Sequence, residues 1–450
     1  MSASMRSRRN PLLAIFTTVF IDLLGFGILI PVFPLLIDPR SKFRVTPQSW
    51  TPHQGLIMLG WLQAIYPLCI FLAAPILGQL SDRLGRRPVL AMSIAGTSAG
   101  YILFAIGIMT KNIPLMFAAR ALDGITGGNL AVAQAAIGDI STNANRAKNF
   151  GLLGAAFGLG FVIGPYLGGR LSAPNTSFYG LFDTPSWFGA ATPFWFAAIL
   201  AALNCVLIIT LLPETLKVKI HSGRIQLGQS VRNVMRGFAS DRLRIPLIGA
   251  FCFNMGFTFF TTFFGVYLRN KFDFSPGQTG DYFALVGIFI ALSQGVVVGL
   301  VAKKLTDYKV LRFSLFGNAA VLAVYFTASS KATLYWIIPI FTVFNGLSMA
   351  NFTSLVSRSA EPGKQGEAMG IYSSVQSLAQ VPASILVGYI AASISSNTPL
   401  IVACVTIIVG GLVFLTMFRP RYVTDTVLEA RHAADAAAGP ATSVSTPSLH

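Results

Sequence analysis

Few side chains in this sequence carry a charge inside an apolar run, and those few define the chemistry open to it. Asp22 lies in Ile21-Asp22-Leu23-Leu24-Gly25-Phe26-Gly27, and Arg120 and Asp123 share a later apolar segment. A charge at the centre of a membrane span costs about 2.5–3.5 kcal/mol on insertion scales, so a retained acid usually marks a cavity or a proton path. Arg120 and Asp123 stand three apart on one helix face, where they can pair. The plain alternative is that this pair merely lets the helix insert, and both readings stay open. A carboxyl at Asp22 that meets a water-filled cavity can alternate between protonated and ionised forms, with Arg120 as modulator. One proton moving down a membrane potential supplies about 2.3 kcal/mol per 100 mV. Proton coupling is the chemistry expected of Asp22, Arg120 and Asp123, driven by a proton gradient and needing no cofactor.

Other chemistries lack their residues. No GxxxxGK[ST] phosphate loop occurs, which leaves ATP hydrolysis without support. Cys69, Cys205, Cys252 and Cys404 all sit in apolar segments without CxxC spacing, so neither a disulfide framework nor a zinc site is expected and they read as packing residues. His53, His221, His432 and His450 fall outside the expected spans. No nucleophile–base or metal-ligand cluster can be assembled, so an enzyme is not expected.

These charges must be held by helices that face lipid. Of 450 residues 54% are hydrophobic and 11% charged, against about 25% charged in soluble domains. A net charge of +17 does not point to nucleic acid, because the basic residues form short clusters between apolar runs. Runs of about 20 apolar residues suffice for a span. Twelve are expected near 11–37, 54–80, 88–110, 113–140, 148–172, 192–213, 245–269, 279–302, 309–329, 332–356, 366–395 and 398–418. With the N-terminus inside, 24 Lys and Arg fall on the cytoplasmic side and 8 outside, with Arg120 within a span. That bias predicts a multi-pass protein of the inner membrane with both termini cytoplasmic. Arg40, Lys42 and Arg44 in the first external loop run against it and are outvoted. The Met5-Arg6-Ser7-Arg8-Arg9 start has no small-residue cleavage site after its apolar run and reads as the lead-in to an uncleaved span.

The chain repeats itself. Gly78, Leu84, Val89 and Leu90 recur as Gly299, Leu305, Val310 and Leu311 at an offset of 221, and Gly151 and Gly169 recur as Gly370 and Gly388 at 219. Two parallel six-span halves are implied, able to rock about a midplane cavity. The expected layout is residues 1–213 as one six-helix bundle, 214–244 as a linker, 245–423 as the second bundle and 424–450 as a disordered tail rich in Ala, Ser, Thr and Pro. In the linker, Leu227, Val231, Val234, Met235 and Phe238 predict an amphipathic helix at the cytoplasmic interface. Gly160, Gly164-Pro165 and Gly168-Gly169 predict a closely packed, bent fifth span, with tight packing between the halves compatible with a hinge. Asn254, Gln294, Asn318, Asn345, Gln376 and Gln380 are polar residues in later spans, candidates for the substrate cavity or for interhelical hydrogen bonds.

Gly78-Gln-Leu-Ser-Asp82-Arg83-Leu84-Gly85-Arg86-Arg87 resembles the loop 2–3 signature of the major facilitator superfamily. Arg120-Ala-Leu-Asp123-Gly124-Ile-Thr-Gly127-Gly128 is similar to the span 4 signature of its proton-coupled members, and Gly160-Phe-Val-Ile-Gly164-Pro165-Tyr-Leu-Gly168-Gly169 to the span 5 signature of antiporters. With Asp22-Leu-Leu-Gly25-Phe-Gly27 and Pro31, the resemblance is to the twelve-span drug/proton antiporters, nearest to tetracycline efflux proteins. It implies an all-α membrane fold of two pseudo-symmetric six-helix bundles. It also implies gating by Gly78, Asp82, Arg83, Gly85, Arg86 and Arg87, with Asp82 capping a helix of the opposite half and Arg86 paired to Asp139. A solvated, topogenic turn remains the plainer account of those charges. Asn318 stands where tetracycline exporters carry an acid, and Ile290 where they carry a histidine, although Gln294 matches; this weakens tetracycline as cargo. The expected function is a secondary transporter that exports amphipathic small molecules in exchange for protons. Its partners are that small molecule, protons and membrane lipids, and it acts as a monomer. A carrier of a defined metabolite, such as a sugar or organic ion, and a non-transporting receptor are the alternatives.

Overall fold

The computed structural model describes residues 11–141, 146–175, 183–216, 226, 228–361, 364–395 and 397–419. The basic N-terminal residues, most of the 214–228 stretch and the tail assigned to 424–450 lie outside the described residues. Fifteen α-helices carry the described chain. In the first half they are α1 (Pro11–Ile37), α2 (Pro52–Leu84), α3 (Arg86–Met109), α4 (Ile113–Thr126), α5 (Asn129–Ile140), α6 (Arg146–Leu171) and α7 (Thr192–Leu211). Then come α8 (Gln229–Ala239) and the second half: α9 (Arg244–Phe272), α10 (Pro276–Leu292), α11 (Val298–Ala302), α12 (Asp307–Thr327), α13 (Lys331–Ser359), α14 (Gln365–Ser393) and α15 (Thr398–Met417). A five-residue π-helical turn, Ser293–Val297, joins α10 to α11 as one span.

Ten of these spans are long and apolar enough to cross a membrane by themselves. α4–α5 and α6 fill the remaining two expected positions, completing the two-bundle fold. Local sequence sets the starts. Thr51 and Ser275 each close a capping box with the glutamine three residues on, Gln54 and Gln278, and each is followed by proline at the first helical position. Those features satisfy orphan backbone N–H groups in the same way at equivalent points of the two halves.

The continuous span expected over 113–140 is corrected: it breaks between α4 and α5 at Gly127-Gly128. Glycine is the weakest helix former after proline. The chain also passes α2 there so closely that a Cβ on Gly128 would lie 2.7 Å from the Ala74 Cα. The linker helix forms as expected, as α8. Its Ser230 hydroxyl donates to the Phe71 carbonyl of α2, and Gly237 faces Ile371 of α14 and Leu247 of α9.

Between the halves, α2 packs on α14, α6 on α10, and α1 along α9. With an even number of spans, the start of α1 and the end of α15 share one face, the terminal end; the α1–α2 connection marks the far end. The halves meet closely toward the far end, at Gly60 with Gly388 and Gly169 with Gly280. Toward the terminal end, a Cβ on Gly78, Gly299, Gly366 or Gly370 would meet nothing within 4 Å.

The glycine stripe of α6 corrects a further expectation. Gly160 faces Leu23, Gly164 faces Leu24 and Gly27, and Gly168 faces Ile28, all on α1 of the same half. A Cβ on Gly164 would lie 2.6 Å from the Leu24 carbonyl oxygen. The stripe thus lets α1 and α6 touch at backbone distance, whereas Gly169 faces Pro276 and Gly280 of α10 across the halves. Pro165 sits where α1, α6 and α10 converge, its carbonyl against Gly280 and its ring against Gly27.

Candidate functional site

Asp22 is half-buried in the middle of α1, with one carboxylate oxygen sealed from solvent and lacking a hydrogen-bond partner. Its polar neighbours are Asn129, first residue of α5, and Asp123 of α4. The Gly127-Gly128 break starts α5 at this level and so sets Asn129 beside Asp22. Arg120 donates to Asp123 at 2.8 Å, with both side chains under 8% exposed. The Arg120 guanidinium also lies over the Tyr66 ring of α2, 4.2 Å from its centroid, a geometry in which a desolvated cation gains about 2 kcal/mol. Tyr101 of α3 is buried, its hydroxyl against Gly25 of α1. Four spans of the first half, α1, α2, α3 and the broken α4–α5, therefore converge on one acid, one ion pair and two phenols.

Sequence reasoning brought Asp22, Arg120 and Asp123 to this point and missed Tyr66, Tyr101 and Asn129. Tyrosine and asparagine are unremarkable in apolar runs, and nothing in the spacing sets Tyr66 opposite Arg120. Only the α2–α4 crossing does so.

A second cluster lies at the terminal end. Arg86 donates to Asp139 at 3.0 Å and pairs with Asp82 at 2.6 Å. The expected Arg86–Asp139 pair is present, whereas the described partner of Asp82 is Arg86, in its own turn, and no helix terminus of the other half. Gly85 turns the chain from α2 into α3 at φ 112°, a region that glycine enters freely. A Cβ there would collide with Glu214, whose carboxylate accepts from the Arg86 backbone N–H at 2.8 Å and the Arg87 N–H at 3.3 Å. A carboxylate at a helix N-terminus satisfies orphan N–H groups and complements the dipole. Glu214, unremarked in the sequence, is the central acceptor of this turn, and Arg87 reaches across to the Ile209 carbonyl. Arg83 is half-buried.

The cavity candidates divide. Asn318 is 1% exposed and donates to Ser348, which donates to Ser314. It binds α12 to α13 and lines no open space, a correction to its place among the cavity residues. Asn345 is buried as well, at 2%. Asn254, Gln294, Gln376 and Gln380 are half-buried, and Gln294 lies in the π turn, a distortion common at functional positions. All four cysteines are free and half-buried, and the Cys205 and Cys404 thiols donate to the Ala91 and Ala319 carbonyls of neighbouring helices.

Comparison with known proteins agrees with this fold. The family model described as Major Facilitator Superfamily matches residues 15–384. The class C tetracycline resistance protein of Escherichia coli is 29% identical over 391 residues, 86% of this chain and 91% of that one. Major facilitator superfamily domain-containing protein 10 of Mus musculus is 25% identical over 410 residues, covering 83% and 85%. Among solved structures, the human organic anion transporter MFSD10 superposes with a TM-score of 0.67 at 20% identity, covering 90% of this chain and 98% of that one. The Escherichia coli xylose transporter XylE, in a partially occluded inward open conformation, gives 0.67 at 15% identity, covering 91% and 98%.

Proposed function

This chain belongs to the major facilitator superfamily and is a multi-pass membrane transporter, and we propose that it exchanges protons for amphipathic small molecules, exporting them by alternating access. The observation that carries the proposal is the Asp22 carboxylate, set beside Asn129 and Asp123 in the middle of α1, with one oxygen sealed from solvent and making no hydrogen bond. Such an oxygen is satisfied either by its own proton or by a donor group on a cargo. Competition for one atom makes the two occupants exclude each other, which is what antiport requires. Arg120, held against Asp123 and Tyr66, supplies a fixed positive charge one span away, and Asp123 neutralises it. Arg86, Asp82, Asp139 and Glu214 then lock the α2–α3 turn as one body that moves with its half.

The similarity to tetracycline resistance proteins supports drug-like cargo. Asn318, packed between helices at the position of their span 9 acid, and Ile290, at that of their span 8 histidine, argue against tetracycline itself. Asn254, Gln294, Gln376 and Gln380 are the cavity residues of the second half in this reading. The excess of Lys and Arg toward the terminal end supports a reading with that end in the cytoplasm and the chain in the inner membrane; in this reading it acts as a monomer.

The test is substrate-triggered proton release from inverted membrane vesicles, with Asp22→Asn alongside. A cationic or zwitterionic drug should dissipate the pH gradient in the parent and fail to do so in the variant. Movement of a metabolite with no proton flux would replace antiport by facilitated transport.

A further inference from the structure

The far-end seam between the halves is built twice from the same parts. On one side a Cβ on Gly169 of α6 would lie 3.0 Å from the Gly280 Cα of α10; on the other, a Cβ on Gly60 of α2 would lie 3.0 Å from the Gly388 Cα of α14. Gly280 follows Gly60 by 220 residues and Gly388 follows Gly169 by 219, the period of the internal repeat. In each contact the next residue reaches across. Arg170 donates to Asp281 at 2.7 Å, and the Trp61 indole N–H donates to the Tyr389 hydroxyl at 3.3 Å. The positions repeat, but the chemistry has diverged: one seam is charged and the other neutral.

A second ion pair between halves joins the charged side. Asp38, just past α1, accepts from Arg269 near the end of α9 at 3.0 Å, and Arg40 reinforces it from the same loop. Arg269 lines a cleft of about 180 Å³ with Ser172 and Pro276, at the ends of α6 and α10, so both ion pairs lie in one neighbourhood. Charge-assisted hydrogen bonds are roughly twice as strong as neutral ones. Here Arg170 and Asp38 are largely shielded from water, whereas Trp61 and Tyr389 are exposed.

We propose that Arg170–Asp281 and Asp38–Arg269 form an ionic latch that holds the far end shut, while the Trp61–Tyr389 seam contributes little to the closure. The proposal rests on the alternating-access reading above, because opening of the far end is one half of that cycle. The latch must break each time the far end opens, and its strength sets how often it does.

The test is a distance measurement on the full chain in lipid vesicles, with Cys69, Cys205, Cys252 and Cys404 replaced. Spin labels go on Thr110→Cys and Ser329→Cys, exposed repeat-related positions in the α3–α4 and α12–α13 turns at the far end. Arg170→Ala and Asp281→Asn should each raise the ratio of open to sealed molecules roughly five- to thirty-fold, the span that the loss of one partly buried interaction produces. Combining Arg170→Asp with Asp281→Arg should bring the ratio back toward the parent, which separates loss of the latch from damage to the fold. Trp61→Phe should stay within about twofold, as expected of an exposed contact. Parental distances in both single charge variants, or equal opening in Trp61→Phe, would overturn the latch. The readout needs neither cargo nor proton flux. An open far end in Arg170→Ala with no proton-coupled transport by the parent would leave the latch standing and remove the antiport reading.

Discussion

Asp307 of α12 pairs with Arg358 of α13 at 3.4 Å, where the first half pairs Arg86 of α3 with Asp139 of α5 at 3.0 Å, the charges exchanged between the two positions. Asp307 follows Arg86 by 221 residues and Arg358 follows Asp139 by 219, the two offsets of the repeat. Each half thus ties the start of its third span to the end of its fourth, and duplication preserved the tie while inverting its polarity. Ser354 also donates to Asp307 at 2.6 Å. Removing one partner leaves a buried charge short of a donor, which costs about 1–3 kcal/mol. Arg358→Leu should therefore lower the melting temperature by a few degrees in a detergent unfolding assay. Reversing both residues, Asp307→Arg with Arg358→Asp, should recover most of the loss.

Glycines of the two signature segments should respond in opposite ways. Gly164→Val places a side chain against the Leu24 carbonyl oxygen at backbone distance. Overpacking of this kind costs about 1–3 kcal/mol or more, so the yield of monodisperse protein should fall sharply. Gly78 has open space around it in this conformation, so Gly78→Leu should leave thermal stability near the parent. If that glycine serves the closed terminal end, transport by Gly78→Leu should still collapse. Parental transport in this variant would show that the α2 glycine has no such duty.

Arg120 and Asp123 should be worth more as a pair than either is alone. Breaking a buried pair by removing one partner typically costs about 3–5 kcal/mol, whereas replacing both with apolar residues is far milder. Arg120→Leu should thus be poorly folded, and Arg120→Leu combined with Asp123→Leu should recover thermal stability without recovering transport. Arg120→Lys should fold yet transport poorly, because an ammonium does not reproduce the planar cation stacked on Tyr66. A double variant no more stable than Arg120→Leu would argue that the pair is not coupled.

Asp38 predicts how the far end behaves in acid. Burial opposes its ionised form, but the Arg40 backbone N–H and the guanidinium groups of Arg269 and Arg40 outweigh that and hold its carboxyl below the ordinary value of 3.8. A depressed carboxyl contributes stability that is fully present above its unfolded-state value and is lost as pH falls through the lower folded-state value. The charged groups facing Asp38 are Arg40 on its own loop and Arg269 on α9, with Asp273 against both arginines. The Asp38 contribution to far-end closure should accordingly be flat from pH 8 to pH 5 and fade only below about pH 4. Comparing the spin-label distances of the parent and Asp38→Asn across that range checks this; a parent–variant difference that vanishes near pH 6 would contradict it.

What this sequence determined by itself is the membrane class, the twelve spans, the repeat and the three charges at depth. Each is a local or periodic property: twenty apolar residues partition into the hydrocarbon core and must cross it as a helix because the bilayer offers no partner for exposed backbone, and two offsets of about 220 residues argue for duplication. The linker helix was legible for the same reason, in the three- and four-residue steps of Val231, Val234, Met235 and Phe238. Only the tertiary structure decided which helix each polar or small residue faces. The Gly160, Gly164 and Gly168 stripe packs on α1 and not across the halves, Asn318 ties two helices instead of lining a cavity, and the span carrying Arg120 breaks at Gly127-Gly128. The partners Tyr66, Glu214 and Asp281 come from residues distant in the chain. A helix of mostly apolar residues shows much the same composition on every face, so no periodicity tells a lipid-facing side from a buried one. Rotation and crossing are set by side chains that meet across spans, and those meetings exist only once the bundle has formed.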